Sequence, residues 1–165
     1  MTTMDRAAAP RTLYSHQIGS PPASVVAPSV FVAVRWLGGR LLLVRRCDSG
    51  AWELPGGCVD VGETACEAAV RETAAEAGVR VLVTGLAGVF SDPAYVVQTP
   101  GGEVRQVFAL LFRARAIGGV PHGDRHVTSD AAWVALADLR GLAIAPPMCG
   151  WIEQALDVHA DPLLS

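Results

Sequence analysis

The chain has 165 residues, 51% of them hydrophobic, and a formal net charge of −3 at pH 7. That is enough for one domain with a buried core, and the charge gives no electrostatic footprint for a nucleic-acid polymer or an acidic membrane. Small phosphorylated ligands stay open, because they need only a local patch or a metal.

No apolar run reaches the ~18 residues of a spanning helix. The opening MTTMDRAAAPRTLYSHQIGSPPASVVAP lacks the apolar core of a secretory signal, so a cytoplasmic location is expected. Cys47, Cys58, Cys66 and Cys149 form no C-x-x-C pair. They read as small buried side chains or surface thiols, without disulfides. Residues 1–28, rich in Ala, Pro and Ser, read as an extended, loosely held N-terminal arm before a domain over 29–165.

From Ser29 the texture changes. SVFVAVRW and LLLVRR are apolar strands joined by a hairpin turn at Gly38-Gly39. WELPGG then enters a turn at Pro55-Gly56-Gly57. A helix follows: Thr64 and Glu67 have capping-box spacing, and Gly78 is placed to end it. Ala65, Ala69, Val70, Thr73 and Ala77 make its expected core-facing stripe. VRVLVTGLAGVF and VRQVFALLFRARAI are strands joined by the turn-rich SDPAYVVQTPGGE. GGVPHGDRHVTSD is a polar loop and AAWVAL a short strand. PPMCGWIEQAL closes with a helix whose Met148, Ile152, Ala155 and Leu156 recur near the helical period. The order strands, helix, strands, helix predicts an α+β fold, an α/β/α sandwich around a mixed sheet.

The stretch GGCVDVGETACEAAVRETAAEAGV carries five carboxylates: Asp60, Glu63, Glu67, Glu72 and Glu76. Glu72 and Glu76 lie one helical turn apart and repel each other by a few tenths of a kcal/mol. A hard divalent cation reverses that sign. Mg²⁺ binds through one or two carboxylates plus substrate phosphates, and the glycines let a backbone carbonyl approach the same ion. An ordinary solvated helix face, with Glu67 and Arg71 at i, i+4, is the alternative reading of acidity alone.

The stretch resembles the Nudix box, G-x5-E-x7-R-E-U-x-E-E-x-G-U with U bulky and apolar. Gly57, Glu63, Arg71, Glu72, Glu76, Gly78 and Val79 fall at its positions, with LPGG leading in. The resemblance covers roughly residues 29–158. It implies hydrolysis of a nucleoside diphosphate linked to another group, using Mg²⁺ or Mn²⁺. It assigns the Gly57 carbonyl, Glu72 and Glu76 as metal ligands, with Glu72 or Glu76 orienting or deprotonating the attacking water. Arg71 would pair with Glu63 and hold the loop against the helix.

Two departures matter. Ala75 stands where the family usually has a carboxylate. Val127 stands where many relatives carry a loop Glu, and Asp124, His126 and Asp130 are nearby candidates to replace it. A non-catalytic Nudix-fold module, binding a nucleotide or a partner, is therefore the alternative function. Arg46, Trp52 and Arg105 are candidate substrate contacts. Arg105, Arg113 and Arg115 share a strand face, as a phosphate clamp or as an exposed basic face. Many relatives dimerise, and an arm swapped onto a second copy would give a homodimer.

Overall fold

The computed structural model describes residues 11–165; the first ten residues of the expected arm lie outside them. In chain order the elements are β1 (Thr12–Ser15), β2 (Val25–Trp36), β3 (Arg40–Arg46), β4 (Trp52–Glu53), β5 (Gly56–Cys58), α1 (Ala65–Ala77), β6 (Val79–Phe90), β7 (Tyr95–Gln98), β8 (Val104–Gly119), β9 (Thr128–Ala135), a 3₁₀ turn (Leu136–Gly141), α2 (Pro146–Leu156) and β10 (Leu163–Leu164).

The strands form one mixed, branched sheet. Its spine is the parallel pair β2 and β8, in register from Val25↔Arg105 to Arg35↔Arg115. β3 and β5 flank β2, while β6 and β7 pair different parts of β8. Residues 30–34 of β2 are all buried, as expected of a strand covered on both faces. The pleat sorts them. Val30, Val32 and Val34 face a core shared with Ala68, Ala69 and Ala77 of α1. Phe31 and Ala33 face a core shared with Met148, Trp151 and Ile152 of α2. The two helices thus cover opposite faces, which is the expected α+β sandwich.

Several details differ from the sequence reading. The boundary placed between 28 and 29 falls inside β2, and Thr12–Ser15 of the arm pairs with β7 from Thr12↔Gln98 to Ser15↔Tyr95. The glycines after Pro55 form a short strand rather than a turn, because Gly56 lies too close to β2 for a side chain. A Cβ there would collide with the Val30 carbonyl oxygen. On α1 the buried positions are Ala68, Ala69, Thr73, Glu76 and Ala77, with Ala65 partly buried and Val70 exposed. Thr73 satisfies its hydroxyl internally by donating to the Ala69 carbonyl. On α2, Trp151 joins the core and Leu156 is half-buried.

The ends of α1 follow the sequence. Thr64 caps the N-terminus reciprocally with Glu67, and Gly78 closes the helix in the left-handed conformation (φ 68°). The loop before β9 is tied to the same end: His122 N–H donates to the Ala77 carbonyl and Thr128 Oγ1 to the Glu76 carbonyl. Among the described residues, no helix is long and apolar enough to cross a membrane.

Candidate active site

β5 is the element around which the site is built. Its antiparallel pairing with β2 fixes Gly56 and Gly57 beside the buried side of α1. Both candidate carboxylates of α1 reach this pair. Gly56 N–H donates to Glu76 Oε2 at 3.0 Å. A Cβ on Gly57 would fall 2.5 Å from Glu72 Oε1, so a side chain there would push the Glu72 carboxylate off this position. Helical spacing puts Glu72 and Glu76 on one face, and the absence of side chains at 56 and 57 lets that face close on backbone.

Arg71 braces the loop from the solvent side. Its guanidinium holds both oxygens of Glu63, with Nε at 2.9 Å from Oε2. It also donates to the Cys58 carbonyl at 3.1 Å and to Glu72 Oε1 at 2.7 Å. Glu63 in turn accepts from the Asp60 N–H. The hydrogen bonds from Arg71, then that from Asp60, hold the Glu63 carboxyl down at about 2. The expected pairing of Arg71 with Glu63 is present, and the pairing of Arg71 with Glu72 adds to it.

On the inner side, Glu76 is buried. Burial pushes its pKa up to about 8 against the opposing pull of the Gly56 N–H and Arg46. Arg46 stands 3.4 Å from Glu76 and 2.9 Å from Asp48, so it faces carboxylates rather than standing free for phosphate. Beyond it, Arg11 Nη2 donates to both oxygens of Glu53 at 2.7 and 2.6 Å, and Nε lies 3.5 Å from Asp48. Glu53 is buried, and breaking such a pair by removing one partner costs ~3–5 kcal/mol.

The donor set suits a hard divalent cation. It offers two carboxylates beside a side-chain-free backbone, and Mg²⁺ completes such a set with waters and substrate phosphates. Among the described residues no three His, Cys, Asp or Glu side chains gather in metal-binding geometry. The three loop candidates do not enlarge the set. Asp124 Oδ1 accepts from the backbone N–H groups of His126, Val127 and Thr128. Asp130 Oδ1 accepts from the Ala131 N–H, and His126 is exposed.

A cavity of about 190 Å³ opens beside Gly56 and Gly57. Arg105 lines it, with Nη1 at 3.9 Å from Cys58 Sγ. Trp52, a candidate for stacking on a base, instead packs against the α2-side core, where its backbone bonds Ala143 and Ala145. Arg113 caps the end of α2 by donating to the Gln154, Ala155 and Asp157 carbonyls, and Arg115 is exposed. The three arginines of β8 therefore do three different things. Sequence reasoning missed Arg11, Asp48 and Glu53 at this site. The one signal was Glu53, a carboxylate between apolar Trp52 and Leu54, which burial obliges to find a cation.

A model of the NUDIX domain matches residues 26–153, and the chain belongs to that family. It is 37% identical over 115 residues to a MutT-like protein of Streptomyces ambofaciens, a match covering 70% of this chain and 66% of the relative. It is 36% identical over 105 residues to a Bacillus subtilis protein provisionally named an 8-oxo-dGTP diphosphatase, covering 64% of each. The chain thus spans slightly less than two thirds of these relatives' lengths. The solved structure of an ADP-ribose pyrophosphatase from Streptococcus suis superposes with a TM-score of 0.67 at 20% identity, covering 84% of this chain and 98% of that one. At that identity the likeness speaks for the fold.

Proposed function

We propose that this protein is a divalent-metal-dependent pyrophosphohydrolase that cleaves the diphosphate linkage of a nucleoside triphosphate or another nucleoside diphosphate derivative. The observation that carries this reading is the convergence of Glu72 and Glu76 on the Gly56-Gly57 pair at the edge of a cavity. The names of the relatives, a diphosphatase and an ADP-ribose pyrophosphatase, support the same reaction class.

The Gly57 carbonyl, Glu72 and Glu76 would hold the ion. Mg²⁺ or Mn²⁺ bound there supplies charge neutralisation and lowers the pKa of a bound water. Arg71, through Glu63 and the Cys58 carbonyl, keeps the loop against α1, a positioning role. Either Glu72 or Glu76 orients the attacking water or takes its proton. Arg46 balances Glu76 from the inner side.

The second reading is a binding module without turnover. It is favoured by the lack of a third gathered carboxylate among the described residues and by Ala75, which is exposed on α1. Phosphate and pyrophosphate release should be measured on nucleoside triphosphates, ADP-ribose and dinucleotides, with Mg²⁺, with Mn²⁺ and with chelator. Turnover that needs metal supports the enzyme; no turnover on any diphosphate leaves the binding module.

A further inference from the structure

The loop before β9 reaches α1 with backbone and one hydroxyl rather than with a carboxylate. It is tied at several points. Asp124 Oδ1 collects the N–H groups of His126, Val127 and Thr128. Arg125 takes the left-handed conformation (φ 65°), and its N–H donates to the Thr128 carbonyl at 2.8 Å. Gly123 packs so closely on this turn that a Cβ would fall 2.6 Å from the same carbonyl oxygen. The Val127 carbonyl accepts from the Cys47 N–H at 2.9 Å, one residue beyond Arg46. A turn held in this way presents a fixed edge to α1.

Thr128, the first residue of β9, is fully buried. A hydroxyl has one proton to give. Thr128 gives it to the Glu76 carbonyl at 2.6 Å, across 52 positions of chain, and accepts from the Asp124 N–H at 3.1 Å. The Glu76 carbonyl lies in the last turn of α1, where carbonyls have no partner within the helix. In the sheet, Thr128 stands opposite Arg46, at an irregularity between Arg45 and Arg46. Such bulges re-aim a side chain, and Arg46 Nη1 lies 3.4 Å from Glu76 Oε1. One residue therefore fixes both partners of this buried ion pair, Glu76 through its hydroxyl and Arg46 through strand pairing.

We propose that Thr128 is a positioning residue for the metal site: its hydroxyl holds the last turn of α1 where the Glu76 carboxylate meets the Gly56 N–H and Arg46 together. The proposal rests on reading Glu76 as a metal ligand. Without the hydroxyl, the buried Glu76 carbonyl loses this donor, and the turn shifts or opens to find another. The Glu76 side chain moves with it. A misplacement of about 1 Å, started far from the chemistry, costs ~100-fold in rate.

The test reads the Gly56 amide, which bonds Glu76 Oε2, by NMR hydrogen exchange in the metal-free protein. Its rate is divided by that of the Val32 amide, which bonds the Pro55 carbonyl and reports the neighbouring strand. Thr128→Val should raise this ratio at least ~10-fold, because losing a buried donor opens the turn locally. Thr128→Ser keeps the donor and should stay near wild type. Met148→Ala, in the α2-side core, lowers stability and should leave the ratio unmoved. Asp124→Ala loosens the loop but leaves the hydroxyl, and should raise the ratio by less; it decides alone if Thr128→Val does not fold. Mn²⁺ affinity, by electron paramagnetic resonance, should fall ~10-fold or more in Thr128→Val and hold in Thr128→Ser and Met148→Ala. A ratio unmoved in Thr128→Val, or in Asp124→Ala where that variant decides, would overturn the proposal. So would an equal rise in Met148→Ala, or Thr128→Ser exchanging as fast as Thr128→Val. A raised ratio with no Mn²⁺ bound by wild type keeps the placement of Glu76 by Thr128 and sinks the metal reading. Mn²⁺ bound alike by wild type and Thr128→Val sinks the positioning role and spares the metal.

Discussion

Two ion-pair systems hold the glycine loop, one from the solvent side and one from within. The outer one, Arg71 with Glu63, Glu72 and the Cys58 carbonyl, joins residues inside one short motif, and Arg71 is 37% exposed. The inner one, Glu76 with Arg46 and Asp48, and Arg11 with Glu53 and Asp48, bridges 30 and 42 positions of chain; Arg46 is only 11% exposed. Exposed pairs are worth ~0–1 kcal/mol each, whereas cutting a buried one strands a charge. The outer system therefore acts mainly by geometry, holding the loop where the α1 carboxylates can use it. The inner system sets the electrostatic surroundings of Glu76.

The sharpest way to break this contrast is Glu76→Gln. The amide keeps an oxygen for the Gly56 N–H but removes the charge that would offset the metal. Electrostatic contacts of this kind reach ~3–4 kcal/mol in a transition state, so turnover should fall at least ~100-fold with the fold intact. A near-normal rate would take Glu76 out of the mechanism.

Arg71→Ala probes the outer system. The Cys58 carbonyl loses this donor and Glu63 keeps only the Asp60 N–H, so metal affinity should fall ~10–100-fold, the usual effect of losing a group that orients a ligand. The melting temperature should fall too. Calorimetry that found both quantities unchanged would mean Arg71 is no brace.

Acid separates the outer system more gently. Glu63 is depressed from 4.5 to about 2 by Arg71 and Asp60. A depressed carboxyl contributes stability that is fully present above its unfolded value and is lost as pH falls through its folded one. The stability difference between wild type and Glu63→Gln should therefore hold steady above pH 4.5 and shrink between 4.5 and about 2. Denaturant melts across that range would show a constant difference if the Arg71–Glu63 pairing were absent in solution.

The smallest expected effect is a gain. Ala75→Glu adds a carboxylate at i+3 from Glu72, next to Glu76 on the helix, and glutamate suits a helix nearly as well as alanine. Asp124 is already engaged by backbone N–H groups, so the new side chain meets no competitor from it. Metal affinity and rate should rise a few-fold. Equal affinity with an equal or lower rate would show that position 75 is not a deficiency.

The same contrast explains how much was legible in the sequence. The outer system was, because Gly57, Glu63, Arg71 and Glu72 sit at fixed short spacings and the caps Thr64, Glu67 and Gly78 mark the helix that carries them. The strands were legible where apolar runs were long. The phase of α1 was not fully so: six of its thirteen residues are alanine, so Val70 looked like core while Ala68 took that place and Glu76 occupied the buried face. The inner system was illegible because it depends on tertiary pairing. Nothing local tells Arg11 that β1 will carry it to Glu53, or Arg46 that its charge belongs to Glu76. Glu53 and Glu76 show that a charge in an apolar setting calls for a partner, without naming it.

The central claim is that Glu72 and Glu76, with Gly57, hold the metal. Mn²⁺ titration followed by electron paramagnetic resonance tests it directly on wild type, Glu72→Gln and Glu76→Gln. The account predicts a bound Mn²⁺ signal in wild type that weakens at least ~10-fold in affinity in each variant, in line with the loss seen when even a supporting group is removed. Wild-type affinity retained in both variants, or no bound signal in wild type at millimolar Mn²⁺, would contradict it.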